Sequence, residues 1–508
     1  MDGFLRMLER LGHAVGPLLG PLERLFGQFE QFFGRWVVDP LSSVIFFDVW
    51  FWDDASPGGG IVLPIVVLWL IIGATFFTLR FRFVNLRAFR HAVDCVRGRY
   101  DHPGDAGEIS HFQALSAALS ATVGLGNIAG VAVAVGLGGP GAVFWMVTAG
   151  FLGMSSKFAE VSLAQRYRLV RPDGSVSGGP MHYLRHGLAD LGWPRMGLAL
   201  SGVFSLLCIG GSLGAGNMFQ ANQAYAQVAT VVPSVDGPLW GALFGVVLAF
   251  FVGLVIVGGI RRIGLIAASL VPFMCGLYVL TGAWILLANA SQLGEGLATI
   301  VRSAFSPEAA YGGFVGVLIQ GFRRACFSNE AGVGSAPIAH SAARTEEPIR
   351  EGLVALLEPF IDTLVVCTMT GLVIVVTGAY RQPGLEGIAM TSWAFESVFP
   401  WFKYVLSLSA ILFAFSTQIS WSYYGERAWE YLFGARSTLV YKGIFLFFVW
   451  FGSISELARV VDFSDLLLLA MAFPNLVGVV LLSGRIDLDL SRYLGRLRAG
   501  EFPRHDPA

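Results

Sequence analysis

Apolar positions along the chain gather into long runs separated by short arginine-bearing stretches, a pattern of membrane spans rather than of an amphipathic soluble fold. About eleven runs reach the length needed to cross ~30 Å of hydrocarbon. They fall at Ile61–Leu79, Phe112–Leu137, Ala142–Tyr167, Ser201–Val231, Leu239–Gly258, Leu265–Leu287, Phe314–His340, Leu353–Thr377, Val405–Tyr431, Val440–Ile454 and Leu466–Leu482. Two of them are broken by residues that leave a helix. In the second, SATVGLGNIAG places Gly124, Gly126 and Asn127 at its centre, and in the seventh, FRRACFSNEAGVGSAP places Asn329, Glu330, Gly332, Gly334 and Pro337 there. A helix broken at mid-depth frees amides and carbonyls, which persist only where protein or a polar ligand satisfies them.

The broken runs are five helices apart. An odd number makes consecutive five-helix units insert in opposite senses, so the pattern predicts an all-α polytopic membrane protein built on a 5+5 inverted repeat with two discontinuous helices. The expected division is an interfacial extension over 1–60, an extra transmembrane helix and basic loop over 61–110, repeats over 111–290 and 310–483, and a tail over 484–508. In the extension, Leu5, Leu8, Leu11, Leu22, Leu25, Phe26, Phe29 and Phe33 form an amphipathic pattern instead of one signal-like apolar core.

Arginine placement predicts orientation. Arg80, Arg82, Arg87, Arg90, Arg97 and Arg99 follow the first span, Arg166, Arg168, Arg171 and Arg185 the third, Arg261 and Arg262 the fifth, and Arg485, Arg492, Arg496 and Arg498 fill the tail. The opposite loops hold little more than Arg302, Arg381, Lys403 and Arg459. The positive-inside rule then sets the N-terminus outside and the C-terminus in the cytoplasm.

Composition agrees: 55% of the 508 residues are hydrophobic and only 14% charged. The net charge of −1 carries no nucleic-acid signal, and five scattered cysteines, Cys95, Cys208, Cys275, Cys326 and Cys367, suggest neither a disulfide framework nor a zinc site. No organic cofactor is expected.

The chemistry concentrates at the breaks. GLGNIA formally matches a dinucleotide fingerprint, but it follows an apolar span rather than a strand, and the next acid is Glu160. The better reading is an unwound hinge in which Gly124, Leu125, Gly126 and Asn127 offer amides to a carboxylate. The last carbonyls of the preceding half-helix, around Ser120, Thr122 and Val123, then face a cation. In the ninth span Ser416 and Thr417 would complete an all-oxygen shell suited to a small hard cation; helix-bonded hydroxyls are the bland alternative. Asn217 and Gln220 sit at i,i+3, hence on one helix face, and join the expected substrate site with Phe327, Ser328 and Asn329. Glu330 needs a partner at membrane depth, for which Arg323 or Arg324 is nearest in sequence; with Asp362 these make a candidate gating or structural charge network. Lys157 with Glu160, and Glu358 with Asp362, read as internal structural networks.

The blocks FQALSAALSATVGLGNIAGVA, GGPGAVFWM, FLGMSSKFAE, SGGPMHYL, GNMFQANQ, CFSNEAGVGSAPIAH, FIDTLVVCTMTGLV and FAFSTQISWSYYGER resemble, in order, those of the alanine or glycine:cation symporters, also called sodium:alanine symporters. The resemblance runs from about Phe112 to Leu482 and departs from the family's pattern at Val147 and Leu125. It implies a LeuT-like fold of the amino acid–polyamine–organocation superfamily, and sodium-coupled uptake of alanine, glycine or a similar amino acid across the plasma membrane, a bacterial inner membrane. On that likeness the substrate carboxylate falls on Leu125 and Gly126, and sodium on Ser120, Val123, Ser416 and Thr417. Proton coupling through Glu330 or Asp362, and a sensor or channel on the same fold, stay open as alternatives; an enzyme is disfavoured by the lack of a metal or nucleotide motif. The expected partners are the amino acid, the sodium ion and the lipid bilayer.

Overall fold

The computed structural model describes residues 35, 39–49, 63–102, 104–306 and 313–504, so most of the amphipathic pattern over 1–60 lies outside the described residues. The described chain is helical apart from a small antiparallel hairpin of Leu169–Val170 with Val176–Ser177, two isolated bridges, Asp48 with Pro64 and Ile109 with Ala343, and the connecting turns. In order come α1 (Ile65–Arg80), α2 (His111–Thr122), α3 (Val131–Gly138), α4 (Gly141–Arg166), α5 (Pro194–Val231), α6 (Pro238–Ile256) and α7 (Gly259–Ala288). After these come α8 (Gly313–Asn329), α9 (Ala336–His340), α10 (Pro348–Thr377), α11 (Phe402–Phe433), α12 (Thr438–Gly452) and α13 (Leu457–Arg498). Seven of these helices are long and apolar enough to cross a membrane, and the bent pair α2–α3 makes an eighth. Shorter helices at Phe89–Val96, Ala290–Ala304 and Ile388–Glu396 connect them.

Local chemistry explains both interruptions. α2 starts with a capping box, in which the Ser110 hydroxyl accepts from the Gln113 amide at 3.2 Å and the Gln113 side chain accepts from the Ser110 amide at 3.0 Å. It ends where Val123 turns out of the helix (ψ 89°), and the chain resumes through a wide π-type turn at Gly126–Gly130, bent by 53°. The second break is sharper. Glu330, Gly332 and Gly334 take left-handed backbone (φ 56°, 87° and 89°), and a Cβ on Gly334 would stand 2.8 Å from the Asn475 side chain. Both conformation and space therefore demand glycine there. α9 then restarts with Pro337 in its first turn, where a missing amide costs nothing.

Buried charges register the helices against one another. Lys157 on α4 pairs with Glu358 on α10 at 3.0 Å, and both are fully buried. Glu351 on α10 is held by His111 at the start of α2 and by His340 at the end of α9, the latter at 2.5 Å. The start of the first broken helix and the end of the second are thereby fixed to α10. Arg323 and Arg324 on α8 both contact Asp465 on α13, Arg323 at 2.7 Å.

Three pairings read from spacing are corrected by this geometry. Arg323 and Arg324 face Asp465 and not Glu330, which accepts from Trp421 Nε1 at 3.0 Å and from the Ser335 hydroxyl. The left-handed step at Glu330 turns its side chain off the face that carries the arginines. Glu160 likewise takes Asn475 Nδ2 at 2.7 Å rather than an ion pair with Lys157, and a π-type turn over Phe360–Cys367 swings Asp362 off the face of Glu358. Nearness along one helix was a poorer guide than nearness between helices.

Removing one partner of a fully buried ion pair strands the other charge, at a cost of about 3–5 kcal/mol. Asp465→Ala is therefore expected to lower the melting temperature of the purified protein sharply. Arg302→Ala, which removes an exposed contact to Glu295, should leave it unchanged. Differential scanning fluorimetry in detergent separates the two, and equal melting temperatures would contradict the clamp.

Candidate functional site

The first break offers both signs of partial charge within a few residues. Its carbonyls are partly consumed locally: Leu125 O accepts from the Ala129 and Gly130 amides at 2.8 and 3.1 Å, and Ile128 O accepts from the Thr391 hydroxyl at 3.1 Å. Its amides are met by side-chain oxygens. Gly124 N donates to Asn127 Oδ1 at 2.8 Å and Leu125 N donates to Gln220 Oε1 at 3.0 Å. The Gly126 amide has no hydrogen-bond partner among the described residues. An amide oxygen from α5 thus caps this turn, beside a further amide that is free among the described residues.

The second break lies directly against the first. A Cβ on Gly126 would come within 3.4 Å of Ser328 Cα and 3.6 Å of the Phe327 ring, which itself packs edge-on against Phe219. Asn329 is turned to α10, its amide donating to the Thr363 hydroxyl at 2.9 Å while its carbonyl oxygen accepts from Ala331 N.

Asp362 joins the two breaks. Asn127 Nδ2 donates to its carboxylate at 2.6 Å, the Ser328 hydroxyl at 2.9 Å and the Thr363 hydroxyl at 2.7 Å. All four residues are buried, and the carboxylate takes neutral donors with no ion pair among the described residues. A charge-assisted hydrogen bond contributes about 1.5–3 kcal/mol, so three of them offset much of the cost of burying the group.

α11 passes alongside. Ser120 Oγ donates to Ser416 O at 2.7 Å, and Ser416 Oγ donates to Phe413 O at 3.0 Å and to Ser120 O at 3.4 Å, so the two helices are laced at the last full turn of α2. Thr417 differs. Its hydroxyl is buried with no hydrogen-bond partner among the described residues, and a Cβ on Gly124 would lie 2.5 Å from it. Thr122 Oγ1 is bonded back to Ala118 O at 3.3 Å. The residues that could meet a cation here, Thr417 and the turned-out Val123, offer oxygen only, which fits a hard ion; no group of three or more metal-ligating side chains occurs among the described residues.

Asn217 does not reach this cluster. It donates to Phe445 O on α12 at 2.7 Å, while Gln220 meets Leu125. The π-type turn at Gly214–Met218 breaks the i,i+3 register that put the two on one face. Sequence reasoning also missed Gln220's specific partner, the Thr363 hydroxyl and Trp421, and it gave no role to Asp465. An acid directly ahead of the apolar run LLLLA, with Asp462 three residues before it, was the available signal for Asp465.

The profile of the sodium:alanine symporter family matches residues 57–507. The sodium/alanine symporter AgcS of Methanococcus maripaludis is 42% identical over 83% of this chain and 92% of its own length. The probable sodium/glutamine symporter GlnT of Bacillus subtilis is 35% identical over 86% and 89%. Among solved structures, MhsT in complex with L-phenylalanine superposes with a TM-score of 0.52 at 15% identity, covering 75% of this chain and 90% of that one, which shows a shared LeuT-like fold. Not an enzyme but a multi-pass membrane transporter, the chain belongs to the sodium:alanine symporter family.

Proposed function

We propose that the protein imports a small neutral amino acid, alanine or glycine, with sodium, by alternating access around the two breaks. The observation that carries this reading is the pairing of unmet groups at one place: the Gly126 amide, suited to a carboxylate, and the Thr417 hydroxyl, suited to a cation, both buried beside the first break. In the bound state the substrate carboxylate takes the Leu125 and Gly126 amides, displacing Gln220, with Asn127, Phe327, Ser328 and Asn329 around it. Sodium takes Thr417, Ser416 and the carbonyls of the Ser120–Val123 turn. Asp362 holds both breaks to α10, while Glu330, Arg323 and Arg324 brace neighbouring helices.

Eleven spans support the same reading: the eight apolar candidates, α1, α12 and the α8–α9 pair. They divide as one additional helix followed by repeats over 111–290 and 310–483, with the N-terminus outside, a tail over 484–508 in the cytoplasm, and the plasma membrane as the setting. The small space beside Gly124 and Gly126 favours a small side chain. Coupling is energetically sufficient, since one charge moved down 100 mV releases about 2.3 kcal/mol, worth roughly fifty-fold accumulation.

Uptake of labelled alanine into proteoliposomes at constant pH should fall at least about tenfold when choline replaces sodium, by loss of this driving force. Uptake that survives the replacement and follows an imposed proton gradient instead would overturn sodium coupling.

Gly126→Leu should abolish alanine binding, because the added side chain meets Ser328 and Phe327, while membrane insertion and size-exclusion behaviour stay normal. Equilibrium binding by scintillation proximity checks this, and wild-type affinity in the folded variant would remove the substrate from this break.

Thr417→Ala removes a hydroxyl with no hydrogen-bond partner among the described residues, so stability should change little. The sodium concentration for half-maximal uptake should rise severalfold, with alanine affinity at saturating sodium unchanged and alanine affinity at low sodium weakened by linkage. A sodium curve overlaying wild type would contradict the assignment.

A further inference from the structure

A second chemistry-bearing place lies away from the breaks, where α1 leaves the apolar layer. The helix Phe89–Val96 and the chain end after α13 enclose a recess of about 870 Å³, a volume in the range of small-ligand sites. Arg87, Arg90, Arg97, Arg99 and Arg504 line it against one carboxylate, Asp94. Asp94 is taken by Arg99 at 2.8 Å, and Arg504 is spent on Tyr100, donating to its hydroxyl at 2.8 Å. Arg87, Arg90 and Arg97 are exposed and have no carboxylate partner among the described residues.

The walls are built rather than loose. Phe89 packs edge-on against Phe360 of α10, and Arg350 of α10 stacks on Tyr100 and Phe502 at 5.8 and 5.3 Å. His91 donates or accepts a 2.7 Å hydrogen bond with Tyr493, and burial, with Arg350 beside it, pushes its imidazole down to about 4, so it is neutral and adds no repulsion. Just before the recess, Phe83 and Leu86 are 41% and 64% exposed on the same short amphipathic stretch. Apolar side chains flanked by arginines at the end of a span lie at the level of lipid headgroups.

Unpaired guanidiniums collected on a rigid wall repel one another unless an anion joins them, and their planar fork suits the oxygens of phosphate. We propose that this recess binds a phosphate-bearing anion, either the headgroup of an anionic phospholipid or a soluble phosphate compound, through Arg87, Arg90 and Arg97. The site is separate from the amino acid and sodium positions and does not depend on them.

The test uses the full chain in neutral detergent. Phosphatidylglycerol and phosphatidylcholine are titrated by native mass spectrometry, and sodium pyrophosphate by isothermal titration calorimetry. Wild type is expected to prefer one anionic probe. The triple variant Arg87→Gln, Arg90→Gln, Arg97→Gln should lose on the order of a hundredfold in affinity for it. Removing the same charge elsewhere, by Arg195→Gln, Arg302→Gln, Arg381→Gln, should lose none. Arg90→Glu, a single exposed change, should lose at least about fivefold and guards against misfolding of the triple variant. Loss confined to phosphatidylglycerol identifies the lipid source, and loss confined to pyrophosphate the soluble one. If neither anion binds wild type more tightly than it binds the triple variant, the proposal is overturned, whatever the outcome for alanine uptake.

Discussion

Two helices that stop inside an apolar layer depend on Asp362. Its carboxylate receives Asn127 from the first break and Ser328 from the second, so one buried group fixes the separation at which the free ends meet. Among the other buried acids of this region, Glu358 faces Lys157, Glu351 faces two histidines and Asp465 faces two arginines, while Glu330 and Glu160 take neutral donors as Asp362 does. Asp362 has hydroxyls and an amide only. A carboxylate so held keeps its place through short, directed hydrogen bonds rather than through a counter-charge, and that makes the geometry around it specific.

The paired charges act at a distance from the breaks and in a different way. Each links two helices that are remote in sequence, α4 to α10 and α8 to α13 among them. Buried pairs contribute little net stability but penalise every packing in which one partner is left alone, so they select one register among several of similar apolar burial. In lipid, where apolar side chains gain nothing by leaving the hydrocarbon for each other, that selection weighs more than it would in water. The lacing of Ser120 with Ser416 is a smaller version of the same device.

The likeness to MhsT at only 15% identity shows the same fold kept by a chain that differs at most positions. The specific demands of this chain concentrate at its interruptions: glycine where backbone is left-handed or crowded, amide and hydroxyl side chains where backbone groups are freed, and acids whose partners come from other helices. The arginine recess beside Phe89–Val96 shows the reverse case, a place where charge gathers at the edge of the apolar layer with its walls fixed by aromatic stacking.

The sequence by itself determined the helical membrane class, the helix positions to within a few residues over most of the chain, and the location of both breaks. Apolar run length and glycine or proline inside a run are local properties, so a linear reading captures them. It also named most residues that gather at the breaks, because Asn127, Ser328, Asn329 and Thr417 are polar where the surroundings are not. The tertiary structure alone decided who meets whom. Arg324 meets Asp465 across 141 positions of chain, Lys157 meets Glu358 across 201, and Gln220 meets Leu125 across 95. Spacing along a helix predicts neighbours only while the turn stays regular. At Gly214–Met218 and Phe360–Cys367 a wider turn rotates everything that follows, and at Glu330 a left-handed step does the same. Those three irregularities separated Asn217 from Gln220, Asp362 from Glu358 and Glu330 from its arginines, since a few tens of degrees of backbone rotation redirects a side chain to another helix.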